Sequence, residues 1–334
     1  MDAVRKRSSP RFIDGETMRR VSDFVSLTGA LYEAHRERME FDPELLLSRP
    51  IEGGFNAFNL LPAWQDGKVI GAKLVTFFPD NPTHGIPSAQ GIVVVFDGQT
   101  GTPTAIVDGT ELTVWKTAGD SALGSRLLSR PDSHTLLMVG AGGLAYYAVT
   151  AHLSVRPSLR HVFLWNRRPG RAQELKRMLV DSPFGTGRTF EVVENIDEVV
   201  PRADIICCAT MAETPLVHGR LLSPGTHVAL IGGWTPRMRE VDSEAVVRAT
   251  LFANERRNAL RCGDLTIPID EGLITADSIK ADLFDLCSGA QGRQSDDEIT
   301  LYKNSGGGHL DLFTANYVLD RVASETAGAS PKTG

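Results

Sequence analysis

The sequence predicts an α/β protein in which a doubly wound parallel sheet is inserted into a second, α+β domain. From residue 135 onward, short apolar strands alternate with helices, which is the pattern of parallel βαβ units. Between residues 55 and 107, strand-like runs follow one another without a helix, as in a largely antiparallel sheet. At 334 residues the chain also exceeds the size at which a single hydrophobic core stops growing. We therefore expect two domains.

The first domain is predicted to combine two helices with the antiparallel sheet. Apolar residues at helical spacing predict a helix from Asp23, its N-cap, to about Arg38. A second helix, Leu112–Leu128, is closed by Arg130 before Pro131, because the residue before a proline disfavours the helix. We place the domain boundary there. The strands between these helices are predicted at Phe55–Leu61, Val69–Phe78, Gly91–Phe96 and Pro103–Val107.

The second domain is predicted to be the parallel sheet. Its strands are too apolar to be buried on one face only. A last helix, from about Asp311 to Val322, should return to the first domain, and the polar tail 327–334 is expected to be disordered. The predicted division is thus 1–132 plus 310–334 against 133–309. The strands are predicted at Thr135–Val139, Val162–Trp165, Glu191–Val193, Ile205–Cys208, His227–Ile231 and Thr250–Ala253, and the helices between them at Leu144–Leu153 and Gly170–Leu179.

The composition argues for a protein that binds a small molecule. With 42% hydrophobic and 23% charged residues it is typical of globular chains, and a net charge of -6 gives no broad attraction for nucleic acid or anionic lipid. The four cysteines show neither a CxxC pair nor histidines at metal-ligand spacing, so we expect reduced thiols and no metal site. The first ten residues lack the apolar stretch of a signal peptide, and no window is long enough for a membrane span. These features predict a cytoplasmic protein.

A glycine motif after the strand Thr135–Val139 carries the strongest functional signal. It has the form GxGxxA between an apolar strand and a helix, the context that dinucleotide binding requires. In such a turn the first glycine permits the tight bend, the second admits the pyrophosphate, and the alanine allows close packing of helix on strand. The alternative is an ordinary glycine-rich turn. The predicted cofactor-binding residues of this Rossmann site are Gly140, Ala141, Gly142, Gly143, Leu144 and Ala145.

The residues after the second parallel strand indicate which cofactor is preferred. NAD sites usually place a carboxylate there, whereas NADP sites use arginine. This strand ends in Trp165 followed by Asn166, Arg167 and Arg168. Two guanidinium groups and no carboxylate favour the 2′-phosphate of NADPH, although NADH stays compatible and a solvated basic turn is the alternative interpretation.

The glycine turn is one of a series of sequence blocks that occur in a fixed order along the chain. The others are Gly71–Lys73, Pro79–Asn81, Phe96–Asp97, Gly101–Pro103, Asp108–Thr110, Leu112–Thr113, Lys116–Ala118, Trp165–Arg167, Ala203–Asp204, Ala209–Thr210, Pro224–Thr226 and Asp296–Lys303. Through these blocks the chain resembles the ornithine cyclodeaminase and mu-crystallin family over nearly its whole length. The resemblance implies homodimers joined through the first domain, a nicotinamide cofactor, and chemistry on imines of α-keto acids. It also implies that Thr117, Thr210, Gly232 and Lys303 lie at the cofactor.

The resemblance assigns the substrate carboxylate to three cationic positions, which fall on Arg49, Lys73 and Lys116. Lys73 lies in an apolar strand, so we expect it to point into a polar cleft rather than snorkel to the sheet edge. Lys116 departs from the arginine usual in the family and exchanges a planar fork for a point charge. Trp234 stands where cyclodeaminases carry an aspartate, which favours a wall for an already cyclic substrate over handling of a free amine.

We therefore expect NAD(P)H-dependent reduction of a cyclic ketimine acid, 1-pyrroline-2-carboxylate or 1-piperideine-2-carboxylate, to proline or pipecolate. Lys73, His84, His309 or water could deliver the proton. For the histidines the alternative is an ordinary structural role, and Asp311 is interpreted as the N-cap of the last helix. Three other functions stay open: an ornithine or lysine cyclodeaminase with bound NAD, an open-chain imine reductase of the alanine dehydrogenase type, and a non-catalytic NADPH-binding protein like mu-crystallin.

Overall fold

The computed structural model describes residues 9–37, 39, 44–52, 54–233 and 235–328. They form two compact units. The first unit takes in the described residues up to Asp23, from 39 to Lys116, and from Gly307 onward. The second unit comprises Phe24–Glu37 and Thr117–Gly306, within those described ranges.

The elements are numbered along the chain. The strands are β1 Arg11–Ile13, β2 Leu45–Ile51, β3 Gly54–Gln65, β4 Val69–Phe77, β5 Ala89–Asp97, β6 Pro103–Asp108, β7 Thr135–Val139, β8 His161–Trp165, β9 Thr189–Val192, β10 Ile205–Cys208, β11 His227–Leu230, β12 Thr250–Ala253, β13 Ile279–Asp282 and β14 Thr300–Lys303. The α-helices are α1 Gly15–Val21, α2 Phe24–His35, α3 Gly109–Leu128, α4 Ala145–Val155, α5 Pro169–Val180, α6 Ser243–Arg248, α7 Arg256–Ala259, α8 Gly263–Asp270, α9 Leu283–Cys287 and α10 Gly308–Gly328.

The first unit contains the antiparallel sheet that the sequence predicts. Its strand order is β1-β6-β5-β4-β3-β2, and only the pairing of β1 with β6 is parallel among the described strands. The four predicted strands are β3 to β6, while the edge strands β1 and β2 were not predicted. Helix α10 packs across β4. Close approach explains Gly71 on β4, because a Cβ there would lie 2.8 Å from Leu312 Cδ1 and 2.6 Å from Val94 O.

The second unit contains an entirely parallel sheet of eight described strands in the order β13-β12-β14-β11-β10-β7-β8-β9. The prediction of a doubly wound α/β fold is confirmed. Every residue of β10 and β11 is buried, as expected for strands covered on both faces. The strand order changes direction between β7 and β10, and in such sheets ligands bind at the carboxyl ends of the strands beside this switch point.

Two helical segments belong to the second unit, whereas the predicted division placed them in the first domain. They are α2 and the part of α3 from Thr117 onward. The reason is close packing between them, since a Cβ on Gly119 would lie 2.9 Å from Leu27 Cδ2. Most of the predicted tail, 329–334, lies outside the described residues, as do residues 1–8. Among the helices of the described ranges, none is long and apolar enough to cross a membrane.

Candidate active site

The glycine turn after β7 has the geometry of a phosphate-binding loop. Gly140 has φ +110°, and a Cβ there would lie 2.6 Å from Ala209 O, so only glycine fits. A Cβ on Gly142 or Gly143 would meet no described atom within 4 Å. The N-cap of α4, Leu144, makes no side-chain capping hydrogen bond. The turn is therefore open to an anion at the positive end of a helix.

Asn166 ties this turn to the end of β8. Its Oδ1 accepts a hydrogen bond from Ala141 N at 3.1 Å, and its Nδ2 donates to Arg168 O at 3.0 Å. The side chains of Arg167 and Arg168 are exposed. The structure thus brings together the two motifs in which the sequence predicts cofactor binding.

The other predicted cofactor residues gather around buried charge in the second unit. Thr210 follows β10, and its N–H and Oγ1 both donate to Glu240 Oε1, at 2.6 and 2.8 Å. Lys303 on β14 is fully buried; its Nζ donates to Gly232 O and lies 2.8 Å from Asp264 Oδ2. Sequence reasoning missed Glu240 and Asp264.

Thr117, on α3, belongs to the same unit. Its carbonyl accepts a hydrogen bond from Asn304 Nδ2 at 3.0 Å. This hydrogen bond holds the backbone of α3 against Asn304, the residue after Lys303.

A second charged cluster lies in the first unit. Lys73 alternates with Val69 and Gly71 on the face of β4 that α10 covers, and Lys116 lies on α3. Their ammonium groups bracket Asp311 on α10: Lys73 Nζ is 3.1 Å from Oδ2, and Lys116 Nζ is 2.5 Å from Oδ1. The three residues are called here the lysine–aspartate trio, and their side chains are only 9, 4 and 1% exposed for Lys73, Lys116 and Asp311 respectively.

The trio gives Asp311 a role that the sequence did not predict. Helix α10 begins at Gly308, so Asp311 lies in its first turn and the N-cap interpretation is wrong. With both lysines protonated the trio carries one net positive charge. The pKa of Lys116 is lowered to about 7; burial is the main cause, Asp311 raises the pKa, and the charge of Lys73 lowers it. Such a centre suits one carboxylate ligand.

The remaining predicted residues are placed as follows. Arg49 is exposed on edge strand β2, with its Nη1 donating to Ser48 O at 2.9 Å. His84 is exposed in a short 3₁₀ turn. His309 is fully buried on α10 and meets the Phe313 ring edge to face, with centroids 6.0 Å apart. Trp234 lies outside the described residues.

These features define a class: an α/β protein with a dinucleotide-binding turn in one unit and a buried cationic centre in the other. The chain belongs to the ornithine cyclodeaminase/mu-crystallin family, whose sequence profile matches residues 20–326. The resemblance inferred from the sequence is confirmed.

Named relatives narrow this further. The chain is 41% identical over 318 residues to a Delta(1)-pyrroline-2-carboxylate reductase of Paracoccus denitrificans, covering 94% of this chain and 98% of the relative. A solved structure of the Delta(1)-pyrroline-2-carboxylate reductase of Thermococcus litoralis, in complex with NADH and L-proline, matches with a TM-score of 0.86 at 25% identity, covering 95% of this chain and 98% of that one. The iminosuccinate reductase of Paracoccus denitrificans with NAD⁺ matches at 0.84 and 25% identity, covering 95 and 97%.

Proposed function

We propose that this protein is an NAD(P)H-dependent oxidoreductase that reduces a cyclic ketimine acid, 1-pyrroline-2-carboxylate or 1-piperideine-2-carboxylate, to the cyclic L-amino acid. The observation that carries the proposal is the lysine–aspartate trio, a buried centre of net charge +1 on a chain that also has an open dinucleotide turn. Relatives named as reductases of such an imine support the same substrate class.

The chain's own residues bind and orient the substrate. Lys73 and Lys116 bind the carboxylate, because two ammonium groups around one aspartate leave a single uncompensated positive charge. Asp311 keeps the two ammonium groups together against their mutual repulsion. A nicotinamide cofactor, when bound, supplies the hydride that the imine carbon accepts. A proton must reach the ring nitrogen, and the nearby groups that can release one include the ammonium of Lys116.

We propose NADPH as the preferred cofactor. Arg167 and Arg168 are exposed beside the turn that Asn166 ties to Ala141, so their guanidinium groups are available to a 2′-phosphate. Arg167→Asp should lower kcat/KM for NADPH at least tenfold while NADH is little affected, since the substitution removes one cation and adds an anion. Initial rates measured with NADPH and with NADH test this prediction. An unchanged cofactor preference would refute the phosphate role.

We also propose a homodimer in the cytoplasm. Edge strand β2 exposes Leu45, Leu46 and Leu47, and such an apolar, unpaired edge favours a partner of the same kind. All four cysteines are free and buried, which suits a reducing compartment.

The function is tested by following NADPH oxidation with 1-pyrroline-2-carboxylate, with 1-piperideine-2-carboxylate, and with pyruvate plus ammonia. Turnover of one or both ring substrates is expected. Release of ammonia from ornithine without added reductant would identify a cyclodeaminase instead, and turnover of pyruvate plus ammonia alone would identify an open-chain enzyme. Binding of NADPH without any turnover would indicate a binding protein.

Lys73→Ala ties the activity to the trio. It should reduce kcat/KM by about a hundredfold or more, because it removes one of the two carboxylate-binding charges and leaves Asp311 paired with Lys116 alone. NADPH affinity should survive. The matched control is Lys68→Ala, an exposed lysine of the same unit, which should leave kcat/KM within twofold.

A further inference from the structure

One cluster of three ionisable side chains, buried in the second unit, has no part in the mechanism above. Glu240, Asp264 and Lys303 are each 0% exposed, and they place two carboxylates around one ammonium group. We call them the buried charge network. Burying charges in this way seldom adds stability compared with apolar packing.

The network makes direct hydrogen bonds to two turns, one at Thr210 after β10 and one at Gly232 after β11. Glu240 Oε1 accepts from both the N–H and the hydroxyl of Thr210, at 2.6 and 2.8 Å. Lys303 Nζ donates one hydrogen bond to Gly232 O and another, of 2.8 Å, to Asp264 Oδ2. Asp264 Oδ1 in turn accepts from Glu240 N at 2.6 Å. Thr210 and Gly232 are thus connected through the side chains of Glu240, Asp264 and Lys303 and the backbone N–H of Glu240.

The network also leaves no room for a side chain at Gly232 or Gly233, which follow β11. A Cβ on Gly232 would lie 2.0 Å from Thr210 O and 2.5 Å from Glu240 Oε1. A Cβ on Gly233, which has φ +61°, would lie 2.5 Å from Asp264 Oδ2. Any side chain at position 232 or 233 would therefore collide, and glycine at both positions lets Glu240 and Asp264 approach the backbone closely.

The two turns lie where the second half of a dinucleotide is expected. They follow β10 and β11, on the far side of the switch point from Asn166, which follows β8. A dinucleotide bound across this point has its adenosine half towards β8 and its nicotinamide half towards β10 and β11. We propose that Glu240 is a positioning residue which, with Asp264 and Lys303, fixes Thr210 and Gly232 to receive the nicotinamide half of the cofactor. This inference rests on the proposed use of NAD(P)H.

The test separates the two halves of the cofactor. Glu240→Ala removes the acceptor of both Thr210 hydrogen bonds, so NADPH should bind about tenfold more weakly. 2′-Phospho-ADP-ribose, which lacks nicotinamide, should bind within twofold of wild type. Misplacement of the nicotinamide should lower kcat about a hundredfold with little change in the KM of the imine. Calorimetry gives the affinities and initial rates the kinetic constants.

Two conservative variants extend the test. Glu240→Gln keeps an oxygen that can accept both Thr210 hydrogen bonds, and it should restore kcat to within about threefold. Glu240→Asp keeps the charge but withdraws the acceptor by one methylene, so it should show the same difference between the two ligands. This variant decides the matter if Glu240→Ala does not fold.

The control is Thr300→Val, which removes buried hydrogen bonds at the amino end of β14 in the same sheet. The Thr300 hydroxyl lies 2.8 Å from His227 Nδ1 and donates to Leu128 O at 3.1 Å. Thr300→Val should not change the affinity for NADPH relative to that for 2′-phospho-ADP-ribose. If Glu240→Ala and Glu240→Asp weakened both ligands equally, or did not weaken NADPH, the inference would be overturned. The proposed function would then still stand on NADPH turnover by the wild type. Absence of NADPH binding by the wild type would overturn the function and the inference together.

Discussion

Lys116 is buried with an ammonium group that titrates near neutrality, at a position where the family usually has arginine. Its pKa lies at about 7, mainly because burial disfavours the charged form. Below pH 7 the free enzyme carries this charge and above it the charge is lost. The KM for the imino acid should therefore rise, by about tenfold, as the pH passes from 6 to 8. Bound substrate carboxylate favours the charged lysine, so kcat should fall only at higher pH.

Lys116→Arg is the matched variant, because guanidinium stays protonated throughout this range. It should remove the rise in KM between pH 6 and 8 while the enzyme stays active. Initial rates at fixed, saturating NADPH across the range provide the measurement. A KM profile that is identical in the variant would assign the titration to another group.

Asp311 can be examined in the same assay. It raises the pKa of Lys116, opposing burial and Lys73. With Asp311→Asn the ammonium groups lose their shared counter-ion, so Lys116 should lose its proton at lower pH. The rise in KM should then begin below pH 6, where it begins in the wild type, with the largest deficit in kcat/KM, roughly tenfold or more, at pH 8. An unmoved profile would mean that the ion pair does not control the lysine.

At the scale of elements, two glycines of the turn between β7 and α4 are expected to differ: Gly140 is needed for folding, whereas Gly142 is needed for cofactor binding only. Gly140→Ala should destabilise the fold and impair binding, because its Cβ would meet the backbone of Ala209 at 2.6 Å and its φ is positive. Gly142→Ala should leave the melting temperature within about 1 °C, since its Cβ would enter open space.

Gly142→Ala should nevertheless weaken NADPH at least tenfold, because the added methyl group occupies the space through which the pyrophosphate approaches the backbone. Thermal melts and calorimetric titrations of the two variants distinguish the cases. If Gly142→Ala bound NADPH like the wild type, the pyrophosphate would not lie against this turn.

Some elements of the fold could be identified from the sequence pattern alone, and others could not. The parallel strands β7, β8, β10 and β11 were predicted because burial on both faces makes their sequences continuously apolar. Strand β2 was missed because its run of leucines does not alternate and Pro50 interrupts it. Strand β14 was missed because it contains Lys303, whose burial depends on a carboxylate 39 residues away.

The residues of the candidate site also fall into those that the sequence pattern could identify and those that it could not. The glycine turn is local, so its geometry followed from spacing. Asp311 and Glu240 could not be found by spacing, because each looks like a surface carboxylate until tertiary contacts form. Lys73 and Lys116 lie 238 and 195 positions before Asp311, and Thr210 lies 30 before Glu240. Only the family resemblance singled out Lys73, Lys116 and Thr210.

At the scale of the whole molecule, the two units bury opposite charge. The lysine–aspartate trio has two ammonium groups and one carboxylate, net +1, whereas the buried charge network has one ammonium and two carboxylates, net -1 when ionised. The first balance suits a carboxylate ligand.

The negative network should make stability depend on pH. Burial raises the pKa of Glu240 from 4.5 to about 7, with Asp264 adding to the shift and Lys303 opposing it. The folded state therefore holds this proton more tightly than the unfolded state does, so its contribution is fully present below pH 4.5 and is lost as pH rises through 7. The loss is on the order of 3 kcal/mol. His35 and His152, whose pKa values fall to about 4, act in the opposite direction between pH 4 and 6.5.

Glu240→Gln isolates the carboxylate from these histidines, because only the difference between variant and wild type is compared. The melting temperature of the variant relative to wild type should increase by several degrees between pH 5 and pH 8, as the wild type ionises a buried carboxylate and the variant cannot. The melting transition of the second unit, which contains Glu240, is the one to follow. A difference that stayed constant across this range would mean that Glu240 keeps one protonation state throughout, and that the network is negative, or neutral, at every pH at which the enzyme works.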